Sequence, residues 1–262
     1  MLPAKMPARG LVAHRGLAAS YPENCARALL AAVESGINIV EFDLQCTADG
    51  VPVLLHDESL QRTAGDERLI TAVDSGALDT VDVGYAERFG AAFAGMPLER
   101  LADMVEALAD RPEVVSLVEL KSQSVRYLGA EVFAASVDRL LQPLAGRAIV
   151  ISFCSDVLGA ARKAGWPIGY CLTAFDAEAR ARCERLEPQL VLFDERDFKA
   201  GASLWSGPWR YGCWEITEPE RALELLDAGV DYIESMAPEV LARDAGVVHR
   251  LMCQRLRCQR LR

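Results

Sequence analysis

A chain of 262 residues, about half of them hydrophobic and a quarter charged, has enough material for one large buried core or two modest ones. Its net charge of -10 excludes a general grip on nucleic-acid backbone, which needs clustered Lys and Arg, but leaves room for an anionic ligand held by local cations or a metal. No run of about 18 apolar residues suggests a membrane span, and the eight scattered cysteines show no paired ligand spacing, which points to reduced thiols.

The opening MLPAKMPARG leads directly into a β-rich run, LVAHRG (11–16), with no room for a secretory h-region, so a cytoplasmic location is expected. A helix follows in PENCARALLAAVESG, where Ser20 with Glu23 reads as a capping box, Pro22 as a first-turn proline and Gly36 as a left-handed C-cap. Next come the strand NIVEFDLQ (38–45) and an extra extended piece, VPVLLHD (51–57). The stretch 58–97 is loop-rich, with glycines among scattered charges, and reads as an insertion on a strand-to-helix connection. Beyond it, the helix LERLADMVEALAD leads to the strand VVSLVELK (114–121), and VRYLGAEVFAASVDRLL reads as one long helix. The alternation continues through AIVISF (148–153), SDVLGAARKAG, PIGYCLTAF (167–175) and LVLFDE (190–195). A stunted sixth helix is expected in KAGASLWSGPW, followed by RYGCWEIT (210–217), EPERALELLDAG and VDYIES (230–235). Gly165 and Gly229, like Gly36, each close a helical run. The tail HRLMCQRLRCQRLR (249–262) is basic and reads as a frayed or exposed helix end, with His249 at the surface.

Strands apolar on both faces, separated by amphipathic helices, are the pattern of a parallel sheet. Eight of them in this length predict a (β/α)8 TIM barrel as one domain over 1–262. The competing doubly wound sheet lacks its signature, since no G-x-G-x-x-G turn follows the first strand.

Residues two apart share a face of a strand, so Glu41 and Asp43 point the same way, as do Glu119 and Lys121. His14 and His56 lie late in their extended runs, and in a closed barrel all six converge on one rim. Three ionised carboxylates crowded there must be protonated, paired or metal-bound. Lys121 and Arg15 could neutralise part of the charge, as in a structural salt-bridge cluster; an all-oxygen set otherwise favours a hard cation, Mg²⁺ or Ca²⁺. A histidine in an apolar run is more often core than catalyst. Two of the chain's three histidines beside a candidate cation site instead suit one general acid and one general base.

The ordered set H-R-G, P-E-N, E-x-D, D-G-x-P-V-x-x-H-D and E-L-K resembles the glycerophosphodiester phosphodiesterase family, densely over 11–65 and again at 117–121. The resemblance implies metal-dependent hydrolysis of a small glycerophosphodiester to an alcohol and glycerol 3-phosphate. By that resemblance His14 and His56 match the acid–base pair, and Glu41, Asp43 and Glu119 match the divalent-metal ligands. Arg15 and Lys121 match phosphate contacts, and Trp214 matches a tryptophan lining the substrate cleft, with barrel packing as its competing role. Asn24 is expected to order the first loop. The chain departs from the family pattern at Cys25, where threonine is usual, at WEIT, where W-T-V-N is usual, and at ESMAP, where T-D-x-P is common. These last two bear on substrate preference. A related lyase that stops at a cyclic phosphate and a non-catalytic phosphate-binding barrel are the rival readings.

Overall fold

Strands that are apolar on both faces need both faces covered, and the chain meets that demand by closing its sheet. The computed structural model describes residues 1–198 and 203–259. Its strands are β1 (Gly10–Ala13), β2 (Ile39–Cys46), β3 (Pro52–Leu54), β4 (Val115–Leu120), β5 (Ala148–Ser152), β6 (Ile168–Cys171), β7 (Leu190–Asp194), β8 (Arg210–Trp214) and β9 (Tyr232–Ser235). Eight of them pair in parallel in the order β1-β9-β8-β7-β6-β5-β4-β2, and a β1–β2 contact at Ala13 and Val40 closes the ring. The ninth, β3, lies antiparallel on β2 outside the ring, with Leu54 opposite Leu44. The expected eight-stranded barrel with an extra extended piece therefore forms.

Two apolar layers hold it. Inside the ring, Val12, Ile39, Leu117, Ile149, Ile151, Leu190, Leu192 and Tyr232 pack on one another. Space there is tight: a Cβ on Gly169 would come within 2.9 Å of Ile151 and 3.0 Å of Leu192. Outside, the other strand face meets the helices through Val40, Phe42, Leu44, Val118, Val150 and Phe193, against Leu29, Met104, Phe133 and Leu158. Burying one such side chain contributes roughly 1.5–3 kcal/mol, so the double layer is the main source of stability. Residues 58–97, though poor in regular structure, join β3 and Leu98 in an apolar cluster of their own, including Val53, Leu60, Ile70, Leu78 and Val81.

Several local expectations change. The stretch read as one long helix is two, Ser122–Leu128 and Ala130–Leu141, because Gly129 adopts φ 87° and ends the first. The capping box at Ser20 and Glu23 does not form. The helix starts later, at Ala26, with Cys25 as N-cap and its sulfur accepting from the Ala28 N–H at 3.4 Å. Pro22 therefore precedes the helix, and the Glu99 carboxylate accepts the Ala26 N–H at 2.8 Å from across the sequence. Gly36, Gly165 and Gly229 do take the left-handed conformation expected of them. The stunted helix falls partly on 199–202, outside the described residues; residues 203–209 that follow are not helical. The basic tail belongs to a helix, Ala245–Gln259, and its residues 260–262 lie outside the described ones. No described helix is long and apolar enough to cross a membrane.

Candidate active site

The alternation that fills the barrel also builds the site. Continuing in steps of two from the interior residues Val12, Ile39, Leu117, Ile151 and Tyr232 leads to His14, to Glu41 and Asp43, to Glu119 and Lys121, to Phe153 and to Glu234. These positions cluster at the C-terminal ends of the parallel strands, the end at which TIM barrels place their chemistry. His14, Arg15, Glu41, His56, Glu119, Lys121, Trp214 and Glu234 line one cavity there, with Phe153, Ile151, Cys171 and Leu192 as its apolar wall. Asp43 sits beneath, fully buried. All eight residues singled out in the sequence are thus brought together. The strand bounds are tighter than expected, however: β1 ends at Ala13, β3 at Leu54 and β4 at Leu120, so His14, His56 and Lys121 stand just past their strands.

The first strand-to-helix turn explains why H-R-G and P-E-N occur as they do. Arg15 has φ 57° and Gly16 φ 84°, a reversal that turns the Arg15 backbone N–H onto Glu41 Oε2 at 3.0 Å. Asn24, also left-handed at φ 56°, donates from Nδ2 to Asp43 Oδ2 at 2.8 Å and accepts the Asp43 backbone N–H at 2.9 Å. Asn24 therefore orders the loop and fixes the orientation of Asp43.

One oxygen each of Glu41, Asp43 and Glu119 lies within 4.8 Å of the other two. Glu41 Oε1 and Glu119 Oε1 are buried without a hydrogen bond, although Glu119 Oε1 is 2.9 Å from Lys121 Nζ. Buried carboxylate oxygens left without donors are costly unless a cation meets them, so the donor set fits a hard divalent ion. Burial, reinforced by Asp43, Glu234 and Glu119, raises the Glu41 pKa well above the carboxylate range. Burial also raises Glu119, against the opposing charge of Lys121. Burial works the same way on Asp43, but Lys121 and Arg15 outweigh it and hold that carboxyl far below its usual range. Lys121 Nζ is 3.3 Å from Asp43 Oδ1 and Arg15 Nε is 3.1 Å from Asp43 Oδ2. Asp43 is thus the ionised anchor of the group.

Both imidazoles have a carboxylate at Nδ1. Glu215 Oε2 is 2.5 Å from His14 Nδ1, and Asp57 Oδ1 is 2.6 Å from His56 Nδ1. Burial, aided by the charge of Arg15, pushes the His14 pKa below its ordinary value, and Glu215 opposes that shift. Around His56, Arg62 donates from Nε to Asp57 Oδ2 at 2.7 Å and grips both oxygens of Glu23 at 2.7 Å each. Glu23 also accepts from Arg15 at 3.1 Å. Glu23, assigned to a cap from the sequence, instead ties the arginine of one histidine loop to that of the other. Trp214 packs edge-on to Phe153, with centroids 5.8 Å apart, and still lines the cavity. Both of its expected roles are compatible with that position.

Sequence reasoning gave no site role to Phe153 or Arg62, placed Glu23 in a helix cap, and met Glu215 and Glu234 only within WEIT and ESMAP, as departures from the family pattern. Glu234 and Phe153 were within reach of the same step-of-two rule. Glu215 follows Trp214 directly and breaks that rule, so no periodicity marks it.

The model of the glycerophosphoryl diester phosphodiesterase family matches residues 14–233. A glycerophosphodiester phosphodiesterase from Caldanaerobacter subterraneus subsp. tengcongensis is 35% identical over 121 residues, covering 46% of this chain and 49% of that protein. One from Bacillus altitudinis is 34% identical over 123 residues, with the same coverage of 46% and 49%. The alignments thus span about half the length of these curated relatives. Among solved structures, a phosphodiesterase from Oleispira antarctica in complex with the product sn-glycerol-3-phosphate superposes with a TM-score of 0.77 at 25% identity. The match covers 89% of this chain and 95% of that one.

Proposed function

The chain belongs to the glycerophosphoryl diester phosphodiesterase family, and from that premise we propose that it hydrolyses small glycerophosphodiesters to an alcohol and glycerol 3-phosphate. The observation that carries this reading is the shared cavity. Two imidazoles, each held at Nδ1 by a carboxylate, face the same space as Glu41, Glu119, Arg15 and Lys121. Two titratable rings are more than binding a phosphate requires, and they match the two proton transfers of a displacement.

Glu41, Asp43 and Glu119 would hold a divalent cation, Mg²⁺ or Ca²⁺, which supplies Lewis acidity toward a phosphoryl oxygen when bound. Arg15 and Lys121 bring positive charge to the remaining phosphoryl oxygens, with the guanidinium able to do so through two parallel donors. One histidine takes the proton of the attacking hydroxyl and the other gives a proton to the departing alcohol oxygen. The attacking hydroxyl belongs to water, or to the glycerol moiety itself, in which case the alcohol leaves with formation of a cyclic phosphate that water then opens to glycerol 3-phosphate. Phe153 and Trp214 form the apolar wall against which the carbon skeleton of the substrate rests.

Phosphorus NMR of glycerophosphocholine or glycerophosphoethanolamine incubated with the protein tests this reading. Glycerol 3-phosphate is the expected end product with Mg²⁺ or Ca²⁺, and none with chelator. A cyclic phosphate that persists would reassign the protein as a lyase, and no turnover with either metal would leave it a binding barrel. Replacing His14 or His56 by Ala is expected to lower kcat by at least about 10²-fold without loss of fold. Near-wild-type turnover by either variant would remove the acid–base assignment.

A further inference from the structure

We propose that Glu215 is a positioning residue that decides which ring nitrogen of His14 carries the proton, an inference that rests on the acid–base reading of His14 given above. Glu215 comes from the loop after β8, and β9 lies between β8 and β1 in the ring. Its carboxylate therefore reaches over β9 to meet His14 Nδ1 at 2.5 Å. The other oxygen, Oε1, accepts the Met236 backbone N–H at 2.6 Å. The Ile216 backbone N–H in turn donates to the Glu234 carbonyl at 3.0 Å, so the loop is pinned at Glu215 and again at the residue after it. With both oxygens committed, the carboxylate cannot turn away from the ring.

An ionised carboxylate only accepts hydrogen bonds. The short contact therefore requires the hydrogen on Nδ1 and leaves the lone pair on Nε2, the nitrogen that lies 4.0 Å from Glu41 Oε2 on the cavity side. Because His14 is only 9% exposed, bulk water does not take over this task if the partner is lost. The neutral ring is thus set to take up a proton at Nε2 rather than to give one.

Glu215→Gln separates this role from packing. A carboxamide has one acceptor oxygen for two neighbours that Glu215 serves with two. The backbone N–H of Met236 cannot become an acceptor, so it claims the oxygen. The NH₂ then faces His14 Nδ1, which can meet it only with a lone pair, and the ring proton is forced to Nε2. Glu215→Ala frees both tautomers instead and is expected to retain more turnover than Glu215→Gln.

The readout is the tautomer itself, by long-range ¹⁵N–¹H correlation of the histidine ring at about pH 8, where a neutral ring is observed. Wild-type protein is expected to show hydrogen on Nδ1 of His14, and Glu215→Gln on Nε2. In turnover, Glu215→Gln is expected to lose roughly 10³–10⁴-fold in kcat with KM changed little, the size of effect seen when a triad carboxylate becomes an amide. Hydrogen on Nε2 in the wild-type ring would overturn the inference, whatever the activity. Wild-type kcat in Glu215→Gln, beside an inactive His14→Asn, would overturn it while leaving the acid–base reading intact. A fully active His14→Asn would remove both.

Discussion

Glu234 is the residue whose placement demands the most explanation. Only 3% exposed, it shares the barrel mouth with Glu41 and His14, their ligating atoms all within 4.8 Å. Burial, then the charges of Glu215, Glu119 and Asp43, raises its pKa well above the carboxylate range, with Arg15 opposing. Burial, followed by the charge of Asp43, raises Glu41 and Glu119 as well, against Arg15 and Lys121 respectively. A raised carboxyl binds its proton more tightly in the fold than in the unfolded chain. Its contribution is therefore complete below about pH 4.5 and declines as pH climbs through the raised value. His14, whose pKa is lowered, acts with the opposite sign below about pH 6.5 and, lying so close to Glu234, does not cancel between wild type and variant, so the comparison at about pH 8 carries the test. In chelator at about pH 8, Glu234→Gln is expected to be more stable than wild type by roughly 1–3 kcal/mol, with the gap closing toward pH 4.5. Urea denaturation measures this. A variant equal to or weaker than wild type at pH 8 would show that Glu234 is not held against its ionised form.

At the scale of elements, the turn from β1 to the helix Ala26–Glu34 sets the geometry of the site. A Cβ on Gly16 would lie 2.5 Å from the Ala28 carbonyl carbon, in a backbone with φ 84°. Both the clash with main chain and the left-handed conformation penalise any side chain there. Gly16→Ala is expected to cost roughly 2–4 kcal/mol and to lower activity by moving Arg15; an unchanged Tm would contradict this account of the turn. Such glycines are legible in sequence because their reason is local. Gly129, which splits one expected helix into two, is harder to read, since a glycine inside an amphipathic pattern is often tolerated. The cap at Ala26 shows a further limit. Ser20 and Glu23 have capping-box spacing, but Glu23 is drawn to Arg62 and Arg15, and Glu99, 73 residues on, takes the helix N-terminus. Tertiary charge pairing outweighs a local cap contributing about 1 kcal/mol.

For the whole molecule, alternation was enough to read the barrel: eight doubly apolar strands and the polar residues at their ends. It was also enough for His14, Glu41, Asp43, Glu119 and Lys121, because one period of two carries each from the core to the mouth. The side chains that orient them were not readable this way. Glu215 meets His14 across 201 residues and Arg62 meets Glu23 across 39, pairings that exist only once the ring has closed. The central claim is that closure brings Glu41, Asp43 and Glu119 around one divalent cation, and titration calorimetry with Mg²⁺ and Ca²⁺ tests it most directly. One cation per wild-type chain is expected, with binding lost in Asp43→Asn and in Glu119→Gln while both still fold. Binding of the same stoichiometry and affinity in either variant, or no binding to the wild-type protein, would contradict it.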